Sequence, residues 1–189
     1  MRPYESQGSG RVEHGDDALF KRPDMARQIP IILTRYAYIE RLLVMLYATI
    51  SGTPIRQEDV PEMRAMSLTA IAAATLGALD SQSNRNAVIR RSLETVYSPG
   101  LVAEYGVLSA KITNAARGRN VVAHGYWGAS DHYPNELIAM GREGTMDFWN
   151  AKVYELADFE KFAKDIEDLE PPIRAFTQKV VKERYALDE

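Results

Sequence analysis

The chain has 189 residues, of which 46% are hydrophobic and 26% charged, and its formal net charge at pH 7 is −3. These values are typical of a soluble single domain, and the overall charge is not that of a basic nucleic-acid-binding protein. Cysteine is absent, which excludes disulfides, thiolate zinc sites and cysteine nucleophiles and predicts a cytoplasmic, reducing location.

The N-terminal segment is predicted to be a flexible leader over residues 1–28, followed by a single helical domain over residues 29–189. The leader combines charges, Gly and Pro without an apolar run, so it is not a signal peptide. The longest apolar stretch, Ile29 to Ile50, is interrupted by Arg35, Glu40 and Arg41. Because a lipid-facing span does not readily tolerate such charges, no membrane segment is expected.

Four helices are predicted in the first part of the domain. The first ends at Ser51-Gly52-Thr53-Pro54, and the second begins near Pro61 and is rich in alanine. The third runs from about Asn84 to Tyr97, and Ser98-Pro99-Gly100 separates it from a fourth that extends to Val122. The first helix carries an apolar stripe at spacings of three and four, formed by Ile32, Tyr36, Ile39, Leu43, Leu46 and Ile50.

The pattern changes after Gly125. A loop from Trp127 to Pro134 precedes a predicted β-hairpin over residues 136–154, and a C-terminal helix over residues 157–186 is kinked or split at Pro171-Pro172. The predicted fold class is therefore all-α, a four-to-five-helix up-down bundle with a small β-hairpin insertion before the C-terminal helix.

Polar residues that suit catalysis are concentrated at the end of the fourth helix. A helix advances by about 100° per residue, so Arg117, Asn120 and His124 share one face, whereas Arg119 lies about 140° from His124 if the helix is straight. A long guanidinium side chain, or a bend at the helix end before Gly125, would bring Arg119 and His124 together.

The sequence Arg119-Asn120 followed, after three residues, by His124 resembles the arginine, polar residue, histidine signature of the HEPN superfamily. The resemblance covers about residues 30–127. It implies a helical bundle and a metal-independent endoribonuclease with no cofactor, in which Arg119, Asn120 and His124 are catalytic. It also implies a homodimer whose active site combines residues of both subunits, and a toxin or defence effector with an antitoxin or other protein partner. Arg117 is a second candidate for the arginine.

These residue types suit RNA cleavage. RNA supplies its own nucleophile, the 2′-hydroxyl, so a ribonuclease needs a base for that proton, charge for the phosphorane and an acid for the leaving oxygen. Imidazole serves as base or acid near neutral pH, and a guanidinium group offers a planar fork of donors to phosphate oxygens. Asn120 is expected to orient His124 or to bind a phosphate. Three histidines and no paired ligand motif predict no metal site.

Tyr126 extends the signature. The pattern is similar to that of HEPN toxins paired with minimal nucleotidyltransferase antitoxins, in which such a tyrosine receives AMP. The hairpin and the greater length of this chain depart from those toxins. The alternative for Tyr126 is a ring that packs on Trp127 at the end of the helix.

Positive charge is concentrated on the helices that carry the motif. From Arg85 to His124, six basic and two acidic residues give a net charge of +4, whereas residues 155–189 have a net charge of −4. The predicted RNA- and phosphate-binding residues are Arg85, Arg90, Arg91, Lys111 and Arg117. An ordinary solvated face is the alternative.

Two other functional classes stay open. One is a non-catalytic HEPN-like module that binds a nucleotide, RNA or a partner protein. The other is a purely structural bundle, in which His124 favours the negative end of the helix dipole and Gly125 ends the helix. His132, beside Asp131, and His14, in the leader, are weaker candidates for chemistry.

Overall fold

The computed structural model describes residues 1–5, 12–52, 62–142 and 150–187. Within these ranges the chain is mostly helical, as predicted, and also has a five-stranded antiparallel sheet. The described helices are α1 (Asp16–Lys21), α2 (Pro23–Ser51), α3 (Glu62–Gly77), α4 (Gln82–Val96), α5 (Pro99–His124), α6 (Leu156–Glu167) and α7 (Glu170–Leu187). The described strands are β1 (Arg2–Pro3), β2 (Val12–His14), β3 (Gly125–Ser130), β4 (Tyr133–Arg142) and β5 (Lys152–Tyr154).

The chain forms two compact units. We call Met1–Tyr36 with Ala115–Glu167 the sheet unit, and Ala37–Asn114 with Asp168–Glu189 the helical unit. Helices α2 and α5 contribute residues to both units. The predicted motif from Arg117 to Tyr126 lies in the sheet unit.

The leader differs from its prediction, because its described parts are ordered elements of the sheet unit. Strand β1 pairs with β5 and strand β2 pairs with β3, so the two leader strands form the edges of the sheet, whose order is β1-β5-β4-β3-β2. They are two and three residues long, too short for alternation to be visible in the sequence. Helix α2 begins at Pro23, within the predicted leader and before the first residue of its apolar stripe, Ile32.

The hairpin prediction is confirmed for its two described strands and wrong about the size of the sheet. Strands β4 and β5 pair antiparallel, with Ile138 opposite Val153. Strand β3, expected to be a loop, pairs with β4 on one side and β2 on the other. The fold class is therefore corrected from all-α to mostly helical with a sheet. The sequence from Gly125 to Ser130 does not indicate a strand, because glycine and serine weaken a strand pattern.

The two faces of the sheet bury different side chains. On one face, Ile138, Met140 and Val153 form an apolar cluster against which Val12 of the edge strand β2 and Tyr126 of β3 pack. On the other face, Trp127 and Tyr154 contact Phe159 of helix α6, with ring centroids 5.3 and 6.3 Å from the phenylalanine ring. The second face also lies beside the end of α5.

The end of α5 packs closely on α6 at a glycine. A Cβ atom at Gly118 would lie 2.7 Å from the Cδ1 atom of Phe162. Only glycine allows this approach, so the position of the last turns of α5 in the sheet unit depends on Gly118.

The helical unit has an aliphatic core that the sequence predicts well. All the residues of the α2 stripe named above are buried, in either unit. The C-terminal helix is split, as predicted, but the break lies at Asp168-Leu169 and not at the prolines. Helix α6 ends at Glu167, and α7 begins at Glu170 with Pro171 and Pro172 in its first turn, where proline is tolerated. Within the described residues, no helix is both long and apolar enough to span a membrane.

A polar network lies inside the helical unit. The side-chain amide of Asn86 donates to the Ser109 carbonyl at 3.2 Å and to the Thr113 hydroxyl at 3.0 Å. Its carbonyl oxygen accepts from Gln82 at 2.9 Å and from the Tyr105 hydroxyl at 3.2 Å. All four hydrogen-bonding positions of the amide are therefore used.

Candidate functional site

A cavity of about 360 Å³ lies in the sheet unit, between the last turns of α5 and one face of the sheet. The α5 side, with the first residue of β3, is lined by Arg117, Asn120, Val121, His124 and Gly125. The sheet side is lined by Ala139, Gly141, Asn150, Lys152 and Tyr154. The cavity thus brings together three of the residues that the sequence singled out, Arg117, Asn120 and His124.

Helical geometry explains why these three share the cavity. Arg117, Asn120 and His124 are spaced by three and four residues, so their side chains follow one another on one face over about 10 Å of helix. All three are exposed, because this face is not the one that packs into the core. His124 is the last residue of α5, so it lies at the C-terminal end of this helix.

The connection from α5 to β3 is tight. A Cβ atom at Gly125 would lie 2.5 Å from the Val121 carbonyl oxygen and 3.1 Å from the Trp127 ring. The chain therefore passes from helix to strand within one residue of His124, and this places Gly125, the first residue of β3, in the wall of the cavity.

A β-bulge in β4 shapes the sheet side of the cavity. Between the pairs Gly125 with Arg142 and Trp127 with Ala139, two residues of β4 lie opposite a single residue of β3. One of the two is Gly141, with φ of 83°, a conformation that favours glycine. Bulges of this kind occur next to functional sites, where they redirect the strand.

The described lining is positively charged. Arg117 and Lys152 contribute cations from opposite sides, and none of the described lining residues is Asp or Glu. Burial raises the pKa of Tyr154 above its ordinary value, and the nearby Asp158 carboxylate raises it further. The Tyr154 hydroxyl therefore stays protonated at neutral pH and is able to donate a hydrogen bond. The lining suits an anion.

Arg119 lies elsewhere. Its guanidinium carbon is 5.5 Å from the centroid of the Tyr36 ring, and its Nη1 donates to the Asn120 side-chain oxygen at 3.1 Å. Arg119 does not line the cavity described above, whereas Arg117 does. The angle of about 140° between positions 119 and 124 accounts for the difference. The arrangement brings the second candidate, Arg117, beside His124 and leaves Arg119 in contact with Asn120.

The other predicted phosphate-binding residues lie in the helical unit. Arg85 forms an ion pair with Glu40 and donates to the Leu76 carbonyl at 3.0 Å. Arg90 forms an ion pair with Glu94 at 2.9 Å. Arg91 and Lys111 are exposed. Of the predicted set Arg85, Arg90, Arg91, Lys111 and Arg117, only Arg117 lines the cavity.

Tyr126 packs differently from its predicted alternative. Its ring stacks on the imidazole of His14, with centroids 5.7 Å apart, whereas Trp127 packs against Tyr154 and Phe159. Successive residues of a strand face opposite sides of the sheet, so Tyr126 and Trp127 do not share a side. The other two histidines that the sequence offered lie outside the cavity. His14 is the last residue of β2, an edge strand of the sheet, and His132 is exposed in the turn between β3 and β4.

Sequence reasoning missed the sheet side of the cavity. Lys152 lies between the buried residues Ala151 and Val153, so strand alternation places its side chain on the face that Tyr154 shares. That alternation was visible within the predicted hairpin, but the partner helix of that face was not. Gly141 and Asn150 lie where the sequence shows no such alternation, so the sequence does not mark them as residues of the site.

Comparisons with protein-family models, curated proteins and solved structures found no match to this chain.

Proposed function

We propose that this protein is a HEPN-like endoribonuclease that cuts RNA without a metal ion, using His124 and Arg117. The observation that carries the proposal is the cavity in which an imidazole, a guanidinium and the Asn120 amide meet. The proposal includes a HEPN-like bundle arrangement of the helices. It also includes a role as a toxin or defence effector in the cytoplasm, a reducing compartment that suits a chain without cysteine.

The proposed reaction uses the 2′-hydroxyl of RNA. His124 accepts the 2′ proton, the 2′ oxygen forms a bond to phosphorus, and the bond from phosphorus to the 5′ oxygen breaks. The leaving 5′ oxygen takes a proton from water, and the other product ends in a 2′,3′-cyclic phosphate. Arg117 binds the non-bridging oxygens, whose negative charge grows in the transition state. Arg119 is a positioning residue in this scheme, because it holds the Asn120 side chain.

Two copies of the chain are proposed to pair along α5. One face of this helix is exposed or half-buried along its length, at alternating spacings of four and three, and comprises Ala103, Val107, Ala110, Asn114, Arg117, Val121 and His124. This is the spacing of a helix-pairing seam, and a single Asn within such a seam fixes its register. Val107 is 65% exposed. The pairing proposed is parallel, because only then do Arg117 and His124 of the two chains lie at the same end of the seam, with the two cavities side by side.

The dimer is tested by placing a charged residue in the seam. Val107→Asp is expected to give a monomer in sedimentation equilibrium at concentrations where the wild type is a dimer. The matched control is Val96→Asp, because Val96 is also exposed but lies at the end of α4. A monomeric wild type, or a dimer that survives Val107→Asp, contradicts the pairing.

Cleavage is tested with purified protein and a mixed RNA pool in EDTA. The wild type is expected to cut, and His124→Ala is expected to lower the rate by about 10²-fold or more, as loss of a general base does. His132→Ala is the matched control, because His132 is exposed in a turn and outside the cavity. Equal cleavage by the wild type and His124→Ala rejects the proposal. Growth inhibition on expression, relieved by His124→Ala, tests the toxin role.

A second candidate function is a non-catalytic module that binds nucleotide, RNA or a partner protein. The observation that favours it is Arg119, which contacts Tyr36 and Asn120 rather than the cavity. This function predicts ligand binding that Arg117→Ala abolishes, with no cleavage by any variant.

A further inference from the structure

The strand side of the cavity carries a lysine for which the resemblance assigns no role. Lys152 is the first residue of β5 and lies opposite Ala139 of β4, which also lines the cavity. Its side chain is on the face of the sheet that the end of α5 covers within the sheet unit. Lys152 and Arg117 therefore approach one space from two different elements.

Ion pairs divide the described cations of the sheet unit. Arg22 and Arg119 donate to carbonyl oxygens and have no described ion pair, and the two cations at the cavity have none either. Many other cations of the unit are paired with a carboxylate: Arg2 with Glu136, Lys21 with Glu13, Arg27 with Asp24, Arg35 with Glu167 and Lys161 with Asp165. Among the described residues, neither Arg117 nor Lys152 has a carboxylate within 4.0 Å. Two like charges at one cavity without a nearby carboxylate repel each other, and a bound anion relieves that repulsion.

The neutral groups around the cations also suit a phosphate. Asn120 lines the helix side of the cavity and Tyr154 lines the sheet side, and a side-chain amide and a phenol both have hydrogen-bond donors that suit phosphate oxygens. A volume of about 360 Å³ is at the small end of ligand pockets, which span about 300–1,000 Å³. This fits a phosphate with one attached nucleoside better than a folded polynucleotide.

We propose that Lys152 and Arg117 clamp one phosphate group between strand β5 and helix α5 of a single chain. The ligand class is a nucleotide phosphate, either the terminal phosphate of a mononucleotide or an internal phosphodiester of RNA. The clamp rests on the proposed function for the reaction that follows binding, and binding itself is measured without cleavage. Both positive charges of the clamp belong to one chain, whereas the resemblance to HEPN proteins implies an active site that combines residues of two subunits.

Isothermal titration calorimetry tests the clamp on the full chain with three probes: inorganic phosphate, a 3′-nucleoside monophosphate and a fully 2′-O-methylated oligonucleotide, which lacks the nucleophile. The wild type is expected to bind at least one of them. Lys152→Gln and Arg117→Gln are each expected to weaken that binding about tenfold or more, as loss of a charged hydrogen bond does. Tighter binding of the mononucleotide assigns the site to a terminal phosphate, and tighter binding of the oligonucleotide assigns it to a phosphodiester.

The matched control is Lys161→Gln, which removes a lysine charge from the exposed side of α6 and is expected to leave binding unchanged. Equal weakening by Lys152→Gln and Lys161→Gln overturns the clamp, as does a wild type that binds none of the probes. The clamp and the proposed function fail separately. Phosphate binding that depends on Lys152 in a protein that cuts no RNA supports the clamp and rejects the nuclease. RNA cleavage at the wild-type rate by Lys152→Gln overturns the clamp and leaves the nuclease standing.

Discussion

Replacing Asn86 tests whether the polar network described above holds the helical unit together. The substitution Asn86→Leu keeps a side chain of similar size but removes four hydrogen bonds. The loss is unequal among the partners. The Ser109 carbonyl keeps the Thr113 hydroxyl at 2.8 Å, and Gln82 is only half-buried, so it turns to water.

The Tyr105 hydroxyl bears most of the cost. Tyr105 is fully buried, and without Asn86 its hydroxyl has no acceptor among its described contacts. An unsatisfied buried hydroxyl costs about 1–3 kcal/mol, and the remaining lost hydrogen bonds add about 1 kcal/mol. We therefore expect Asn86→Leu to lower the free energy of unfolding by about 2–4 kcal/mol.

The assay is urea denaturation followed by far-UV circular dichroism, on the wild type, Asn86→Leu, Tyr105→Phe and the double variant. Because Tyr105→Phe removes the group that Asn86→Leu leaves unsatisfied, the double variant is expected to lose about 1–2 kcal/mol less than the sum of the single losses. Additivity within about 0.5 kcal/mol, or an Asn86→Leu variant as stable as the wild type, refutes the reasoning.

Three further predictions follow from single contacts. Gly118→Ala is expected to destabilise the protein by about 1–3 kcal/mol in thermal denaturation, because the added Cβ meets the Phe162 ring at 2.7 Å. The control is Gly106→Ala, whose added Cβ has nothing within 4 Å. It is expected to stabilise the protein by about 0.5–1 kcal/mol. Burial raises the pKa of Tyr105. Above about pH 10 the unfolded chain therefore releases a proton that the folded chain keeps, and the free energy of unfolding falls as the pH rises. Tyr105→Phe is expected to show a shallower fall between about pH 9 and 11, and an unchanged slope contradicts this. Arg117→Ala is expected to lower the rate of RNA cleavage by about 10²–10³-fold. Arg119→Ala is expected to lower it by less than about tenfold, because this substitution removes only contacts with the Tyr36 ring and the Asn120 amide. The reverse order in initial rates rejects the role given to Arg117.

Local sequence patterns predicted the helices from α2 onward, because each of them carries its own signals, whereas the short helix α1 lies in the segment predicted to be a flexible leader. The buried stripe of α2 repeats at three and four, and α5 begins at Pro99 and ends at His124, just before Gly125, as the turn residues indicate. These features depend on residues close in the chain. Hence they are readable without knowledge of the tertiary fold.

The sheet and one wall of the site depend on partners distant in the chain. Strand β1 pairs with a segment about 150 residues later, and its two residues carry no recognisable alternation. The choice between Arg117 and Arg119 likewise depends on which face of α5 turns toward the sheet. The sequence shows the angle between the two arginines but not the position of Tyr36, which Arg119 contacts.

The most direct test of the central claim is the identity of the RNA ends that the purified protein produces in EDTA, measured by mass spectrometry. The account predicts fragments that end in a 2′,3′-cyclic phosphate and carry a 5′-hydroxyl on the other side. It predicts no cut in a 2′-O-methylated substrate, and cleavage by His124→Ala that is slower by about 10²-fold or more. Ends with a 3′-hydroxyl and a 5′-phosphate, or cleavage by His124→Ala at the wild-type rate, would contradict it.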